Sequence, residues 1–370
     1  IRLRLNRQAG DVTLKVLKIL NRSKGIKPSR FIPFFFHLLL FVSQISTAEW
    51  YAHEFDVMGT RASIELWSDS KVNAQDSFSI VEAEMHRIEL VMSSYREDSE
   101  LSAVNRLQAH QSLTLTSELY QLIQKSLYFS DLSNGAFDIT YASVGHLYNY
   151  RDRIQPDKHH IQSALALVDW QGVILNKKTQ ALTFAKEGME INLGGIAKGY
   201  AVDRSIELLV GRGVESAIVS AGGDSRMIGD RGAVFNQVDA VANGNEVGHK
   251  KTKRIPWMVG IKHPRQDEGT ALRMPLMDAA ISTSGDYERY FLRGDERVHH
   301  IINPKTGYSA EGVVSASVIG PESINCDVLS TTLFVLGVEA GMALINGVEG
   351  YDAVMIDKFG KVFFSEGLRE

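Results

Sequence analysis

Three short segments of this chain carry residue types suited to work on a phosphorylated ligand. In INLGGIAKGYAVD, residues 191–203, two glycines precede a helical pattern. Glycines let backbone groups approach a ligand closely, and the free N–H groups and positive dipole end of a first helical turn suit phosphate. Lys198 adds a mobile cation near that end. The same residues also fit a glycine turn that merely packs a helix on a strand, since neither GxxxxGK[ST] nor GxGxxG is present. In CDVLSTT, residues 326–332, Asp327 and Thr331 stand at i and i+4 on one helix face. With a backbone carbonyl from elsewhere they form part of an oxygen shell for Mg²⁺, which usually keeps waters and takes substrate phosphates for the rest. The alternative is an aspartate capping its own helix, with Thr331 packed inside. In VHHIINPKTG, residues 298–307, strand alternation sends His299 and His300 to opposite faces, so at most one faces a given pocket. Such a histidine can take a proton from a nucleophilic hydroxyl near neutral pH; a surface or satisfied histidine before an NPKTG turn is the plainer alternative.

Three further segments offer a binding slot: MGT at 58–60, SSYREDSELSAVN at 93–105 and GAFDIT at 135–140. Met58, Tyr95 and Phe137 can line an apolar slot for a flat ring, and Asp138 can accept from ring N–H groups. Each also fits core or turn.

The elements that must position these residues follow from periodicity. HEFDVMGTRASIELW alternates and reads as one half-exposed strand with a bulge at Gly59. Residues 72–92 place Val81, Met85, Ile88 and Val91–Met92 at helical spacing. SELYQLIQKSLYFSDLSNG is a second helix, capped by Thr116 or Ser117 and ended near Gly135. IAKGYAVDRSIELLVGRG is a helix with Ala201, Ile206 and Leu209–Val210 on its apolar face, stopped by Gly211 and Gly213. ESAIVSAGGDSR reads as a strand entering a glycine turn, and residues 231–255 as a long surface insertion. Strands LMDAAISTSG, VHHIINP and VVSASVIG then precede two helices and a closing pair, YDAVMI and KVFFSE. Strands and helices intersperse without regular βαβ alternation, which predicts an α+β fold.

At 370 residues the chain has room for one large or two closely joined domains, and 44% hydrophobic residues suffice for a real core. A net charge of −4 supplies no overall basic field for nucleic acid. Basic residues concentrate instead in residues 1–30, where Asp11 is the single acid, and run into FIPFFFHLLLFV at 31–42. That apolar run falls short of the ~20 residues a membrane span needs. Residues 1–48 therefore read as a signal peptide or N-terminal extension, with a mature start near Glu49 or Trp50. The implied location is periplasmic or otherwise extracytoplasmic, with an uncleaved inner-membrane anchor as the alternative. Cys326 is the only cysteine, which excludes an internal disulfide framework and a thiolate-cluster metal site.

Taken together and in this order, MGT, SSYREDSELSAVN, GAFDIT, INLGGIAKGYAVD, AGGDSR, ISTSGDYERYF, HHIINPKTGYS and CDVLSTTLFVLG resemble the FAD:protein FMN transferase family (ApbE-like, formerly the thiamine-biosynthesis lipoproteins) from about Phe55 onward. The resemblance implies a flavin transferase domain over 49–370 with two interleaved lobes, mixed or antiparallel sheets, a T-fold-related architecture and an FAD site between the lobes. It implies an exported, Mg²⁺-dependent enzyme that moves FMN from FAD to a threonine hydroxyl of a membrane redox subunit and releases AMP. FAD hydrolysis to FMN and AMP, or FAD binding without catalysis, are the alternatives. Carried over, the metal ligands are the Gly195 carbonyl, Asp327 and Thr331. The flavin positions are Met58, Tyr95, Ala136, Phe137, Asp138, Asn192, Lys198 and Ile301, and the histidine near the scissile phosphate is His300. Asn192 and Asn303 stand where the family usually has aspartate, so altered flavin orientation or metal affinity is expected there.

Overall fold

Alternating burial folds the first strand pattern back on itself. In the computed structural model, which describes residues 48–232, 254–266 and 269–369, β1 (Glu49–Val57) and β2 (Thr60–Ser68) pair antiparallel with Val57 opposite Thr60. Met58 and Gly59 form the turn, at φ 52° and 69°. Two successive left-handed residues give the twist that a tight hairpin needs. The single strand with a bulge expected at Gly59 is thus a hairpin. A Met–Gly pair is a weak turn signal, and the missing support is tertiary: the Glu89 carboxylate accepts the Met58 N–H at 2.8 Å. The basic leader and most of the 231–255 insertion lie outside the described residues.

The helices are α1 (Lys71–Met92), α2 (Glu100–Asn105), α3 (Ser117–Leu132), α4 (Ala142–Gly145), α5 (Lys158–Leu165), α6 (Ala197–Gly211), α7 (Ser323–Leu336) and α8 (Val338–Ile345). Ser70, Ser99, Thr116 and Asp157 cap α1, α2, α3 and α5 with side-chain oxygens. The remaining strands are β3 (Ser112–Thr114), β4 (Val173–Asn176), β5 (Ala181–Phe184), β6 (Ala217–Ala221), β7 (Asp224–Ile228), β8 (Trp257–Lys262), β9 (Thr270–Leu276), β10 (Ala280–Gly285), β11 (Tyr290–Arg293), β12 (Glu296–His299), β13 (Val313–Gly320), β14 (Asp352–Asp357) and β15 (Val362–Phe364). Eight of them form one sheet in the order β1-β2-β6-β7-β10-β13-β14-β15, accompanied by the smaller sheets β3-β5-β4, β8-β9 and β11-β12. The pairings are antiparallel, giving the α+β class that the interspersed pattern predicts.

Helices α1, α6 and α7 cover one face of the large sheet, and Trp257, Ile261 and Leu276 of the β8-β9 ribbon pack with Met227, Ile281 and Val354 in a separate apolar cluster. Central β13 is accordingly buried along nearly its whole length and reads VVSASVIG, small and apolar without alternation. On α6 the buried side includes Ala201, Val202, Ile206 and Leu209, whereas Val210, expected on that face, is 53% exposed. The glycine stop is as read: Gly213, at φ 81°, follows the helix, and the Val214 N–H returns to the Leu209 carbonyl.

Helices α6 and α7 meet at Gly199, where a Cβ would overlap the Ser323 carbonyl and lie 2.8 Å from Ile324 Cα. Both obstacles are backbone, so neither can swing aside. Gly199→Ala should cost about 3 kcal/mol of stability, measured as a lower urea midpoint at unchanged slope.

Candidate functional site

Helices α6 and α7 cap each other. Neither has a side-chain cap of its own at its first residue. Asp203 of α6 instead accepts the Ser323 and Ile324 N–H groups at 2.9 and 2.8 Å, while Arg226 donates to the same carboxylate at 2.8 Å. In return Asp327 of α7 accepts the Gly199 N–H of α6 at 3.1 Å. These exchanges satisfy free N–H groups of both helices and fix Asp327 beside the glycine-led start of α6.

Between them sits Lys198. Its ammonium donates to both Asp327 oxygens at 3.2 Å and to the Gly194 carbonyl at 3.1 Å. It also makes a charge contact with Asp224 Oδ2 at 2.9 Å. Asp224 is held from behind by the Ser282 hydroxyl, and both carboxylates are nearly inaccessible, at 1% and 3% exposure. Burial and the neighbouring Asp224 charge push the Asp327 carboxyl above the usual carboxylate range, against the pull of Lys198. Burial draws the lysine down, but the two carboxylates outweigh it and hold Lys198 above its usual range.

Thr331 lies one turn along α7, and its hydroxyl meets Ser284 at 3.2 Å. Ser284 in turn meets Ser330 at 2.8 Å, and Ser330 donates to the Asp327 carbonyl at 2.9 Å. The Gly195 backbone rests against Thr331 so closely that a Cβ would stand 3.4 Å from its hydroxyl and 3.1 Å from the Phe137 ring. Gly195, Asp327 and Thr331 are thus brought together with an all-oxygen donor set, which suits a hard divalent cation such as Mg²⁺. The set has one carboxylate; among the described residues no group of three or more His, Cys, Asp or Glu is arranged to hold a metal.

The residues expected around a flavin divide in two. Ala136, Phe137 and Ile301 are buried, and Met58 is part-buried at the hairpin tip. Tyr95 is 85% exposed, and Tyr141, behind it, is raised in pKa first by burial and then by Tyr95. Asp138, expected to accept from ring N–H groups, also closes a turn of its own. One oxygen takes the Thr140 N–H and hydroxyl at 2.8 and 2.6 Å, and the other takes the Trp170 N–H at 3.2 Å. Burial raises its pKa against these bonds, and the carboxylate serves the turn that carries Ala136 and Phe137.

Asn192 binds the Gly194 N–H at 2.7 Å through Oδ1 and donates to Ser94 at 2.7 Å through Nδ2, a donor that aspartate lacks. The departure at 192 therefore ties the glycine turn to the Ser94–Tyr95 segment. Asn303 closes its own turn, its Oδ1 accepting the Lys305 N–H at 2.9 Å, which asks only for an acceptor oxygen.

His299 ends β12 and His300 follows it, so the two belong to different local structure. His299 is buried, its Nε2 meeting the Ala310 carbonyl at 3.0 Å, with its ring against Phe334. His300 follows β12; its N–H donates to the Arg289 carbonyl at 3.1 Å, and its buried Nδ1 has no hydrogen-bond partner. Burial, then the Arg289 charge, lower its pKa to about 3, so the ring is neutral at physiological pH. Arg289 also reaches the Gly59 carbonyl at 3.3 Å, linking the hairpin tip to the histidine. The sequence reading did not single out Asp203, Asp224, Tyr141, Arg289 or the Ser282–Ser284 face. Alternation in ISTSG was the available signal for the two serines, whereas the aspartates' roles depend on contacts between helices and strands distant in sequence.

Known proteins resemble the chain throughout this site. Residues 58–355 match the family model described as the ApbE family. The chain is 32% identical to the FAD:protein FMN transferase of Treponema pallidum (strain Nichols) over 326 residues, covering 84% of this chain and 86% of that protein. It is 28% identical to the FAD:protein FMN transferase of Klebsiella pneumoniae (strain 342), covering 86% and 93%. Among solved structures, the ApbE protein of Thermotoga maritima aligns with a TM-score of 0.76 at 30% identity, covering 87% of this chain and 98% of that one. The flavin transferase ApbE of Vibrio cholerae aligns with a TM-score of 0.71 at 25% identity, covering 87% and 99%.

The His300 shift has a consequence for stability. The folded ring resists protonation until about pH 3, while the unfolded chain takes the proton near 6.5, so stability falls as pH drops below 6.5. This residue should account for about 1–2 kcal/mol of loss between about pH 6.5 and 5. Urea unfolding of His300→Gln at both pH values should show that part of the slope removed; an unchanged slope would contradict the assignment.

Proposed function

We propose that this chain, which belongs to the ApbE family, is an FAD:protein FMN transferase that uses Mg²⁺ to move FMN from FAD onto a threonine hydroxyl of a partner redox protein, with release of AMP. The observation that carries this reading is the meeting, at the glycine-led start of α6, of a buried lysine–carboxylate cluster with Gly195 and Thr331. Curated relatives of nearly full length bear the same activity as their names.

In this reading the flavin side of FAD lies toward Tyr95, Met58 and the Ala136–Phe137 turn, and the pyrophosphate lies at the start of α6. Gly195, Asp327 and Thr331 would hold Mg²⁺, which when bound supplies a Lewis acid for the pyrophosphate oxygens. The chain's own residues do the rest. Lys198 and the α6 N-terminus meet the negative charge that grows on the AMP side. His300, neutral and with Nδ1 free of a partner, receives the threonine proton. The threonine oxygen then bonds to the flavin-side phosphorus as the bridging bond to AMP breaks, its electron pair leaving with AMP. At about 3 the imidazole is a weak base; an incoming pyrophosphate would raise it through its negative charge, toward the range where proton transfer is efficient. The basic leader and apolar run support export, which places the acceptor on the outer side of the cytoplasmic membrane.

Purified protein incubated with FAD, Mg²⁺ and a candidate membrane redox subunit should yield a flavin-fluorescent band on that subunit together with AMP. Asp327→Ala should abolish both, and His300→Gln should slow transfer by about 10²–10⁴-fold. FMN and AMP without a labelled protein would favour FAD hydrolysis. Retention of FAD with no AMP, unchanged by Asp327→Ala, would overturn the enzyme reading.

A further inference from the structure

The lysine contacts carry an inference beyond the reaction, resting on the metal-dependent reading above. An ammonium has three N–H donors. In Lys198 those donors go to Asp327 Oδ1, Asp327 Oδ2 and the Gly194 carbonyl. None remains for a phosphate oxygen. Its position, 3.2 Å from each Asp327 oxygen, straddles the carboxylate. Asp327 Oδ2 is further engaged by the Gly199 N–H. A divalent cation bound at the ~2.0–2.1 Å typical of Mg²⁺–oxygen bonds would meet this ammonium on the same carboxylate, with the single charge of Asp327 shared between two cations. Two cations so placed repel, and a four-carbon stem lets the lysine be the one to move.

We infer that Lys198 and the divalent cation are alternative occupants of Asp327: loading the cation turns the lysine off Asp327 and toward the flavin pyrophosphate, while Asp224 keeps it in the cleft. Asp224 is placed for that task. It touches the ammonium at 2.9 Å, closer than either Asp327 oxygen at 3.2 Å, as a charge contact without an aligned hydrogen bond. It is fixed by Ser282, not by the lysine, so it stays in place when the lysine swings. It is a positioning residue that acts through Lys198. The exchange also sets the charge of the cleft. With all three ionised, Asp224, Asp327 and Lys198 sum to −1; adding a +2 cation brings the sum to +1, suited to an anionic pyrophosphate only once metal is present. This makes metal binding and FAD binding mutually supporting through residues already in the chain.

The test is differential amine modification of the FAD-free protein, with Lys198 followed by peptide mass. Adding Mg²⁺ should raise modification of Lys198 about tenfold, because release from Asp327 frees the amine. In Asp224→Asn, modification should stay low without Mg²⁺, since Asp327 still holds the lysine, and should exceed the wild-type level with Mg²⁺, since the tether is gone. Separately, Mn²⁺ titration followed by electron paramagnetic resonance should show about tenfold tighter binding in Lys198→Met, where the competing cation is removed. Modification that is unchanged or lowered by Mg²⁺ would overturn the inference, as would Mn²⁺ binding that is unchanged or weakened in Lys198→Met. The wild-type labelling decides the question even if Lys198→Met folds poorly. AMP release from FAD, measured on the same preparation, decides the transferase reading independently of either result.

Discussion

Holding a part-buried lysine ammonium between two buried carboxylates takes two charges out of water and leaves the third at the edge of the cleft, and the surrounding fold is arranged to make that tolerable. Asp327 receives an N–H from α6, Asp224 receives the Ser282 hydroxyl, and Lys198 spends its donors on Asp327 and Gly194. A single buried charge left without its partner costs several kcal/mol, so removing any one of the three leaves a large penalty on the others. The arrangement needs α6 and α7 at one separation only. Gly199 permits that separation by having no side chain against the Ser323 backbone, and Asp203 locks it by capping α7. The large sheet then supplies Asp224 from the start of β7 and Ser282 and Ser284 from β10, its neighbour.

The rest of the cleft is assembled around this cluster from segments far apart in sequence. The hairpin tip brings Met58, the Ser94–Tyr95 segment is tied in by Asn192, and the ribbon β11-β12 brings Arg289 and His300 side by side at its open end. Arg289 touches the hairpin tip through the Gly59 carbonyl. The departures from the family pattern fall where the structure absorbs them. Asn192 exchanges a charge for a second hydrogen-bonding arm, and Asn303 keeps the one acceptor oxygen its turn requires.

Much of this was legible in the sequence where local physics decides. The helical spacing of Val81, Met85 and Ile88 and the Thr116 cap follow from periodicity and capping, and the structure has them. The pairing of Asp327 with Thr331 on one helix face was readable for the same reason. What could not be read depends on partners distant in sequence. Asp203 closes the quoted INLGGIAKGYAVD segment, yet its carboxylate serves residues 323 and 324. Asp224 lies within AGGDSR, yet only the approach of Lys198 gives its charge a use. Asp138 was read as an acceptor for a ring, and its bond to the N–H of Trp170, well downstream, could not be read. The Met58–Gly59 turn was missed because Glu89 on α1, not the turn residues themselves, completes it.

The central claim is that Asp327, Thr331 and Gly195 hold a divalent cation against the pyrophosphate of FAD, with Lys198 displaced onto that pyrophosphate. Anomalous diffraction from crystals grown with Mn²⁺ and FAD tests it most directly. The account predicts one strong peak bounded by the Gly195 carbonyl, Asp327 and Thr331, with Lys198 no longer on Asp327. A peak elsewhere, or a lysine still bound to both Asp327 oxygens beside bound FAD, would contradict it.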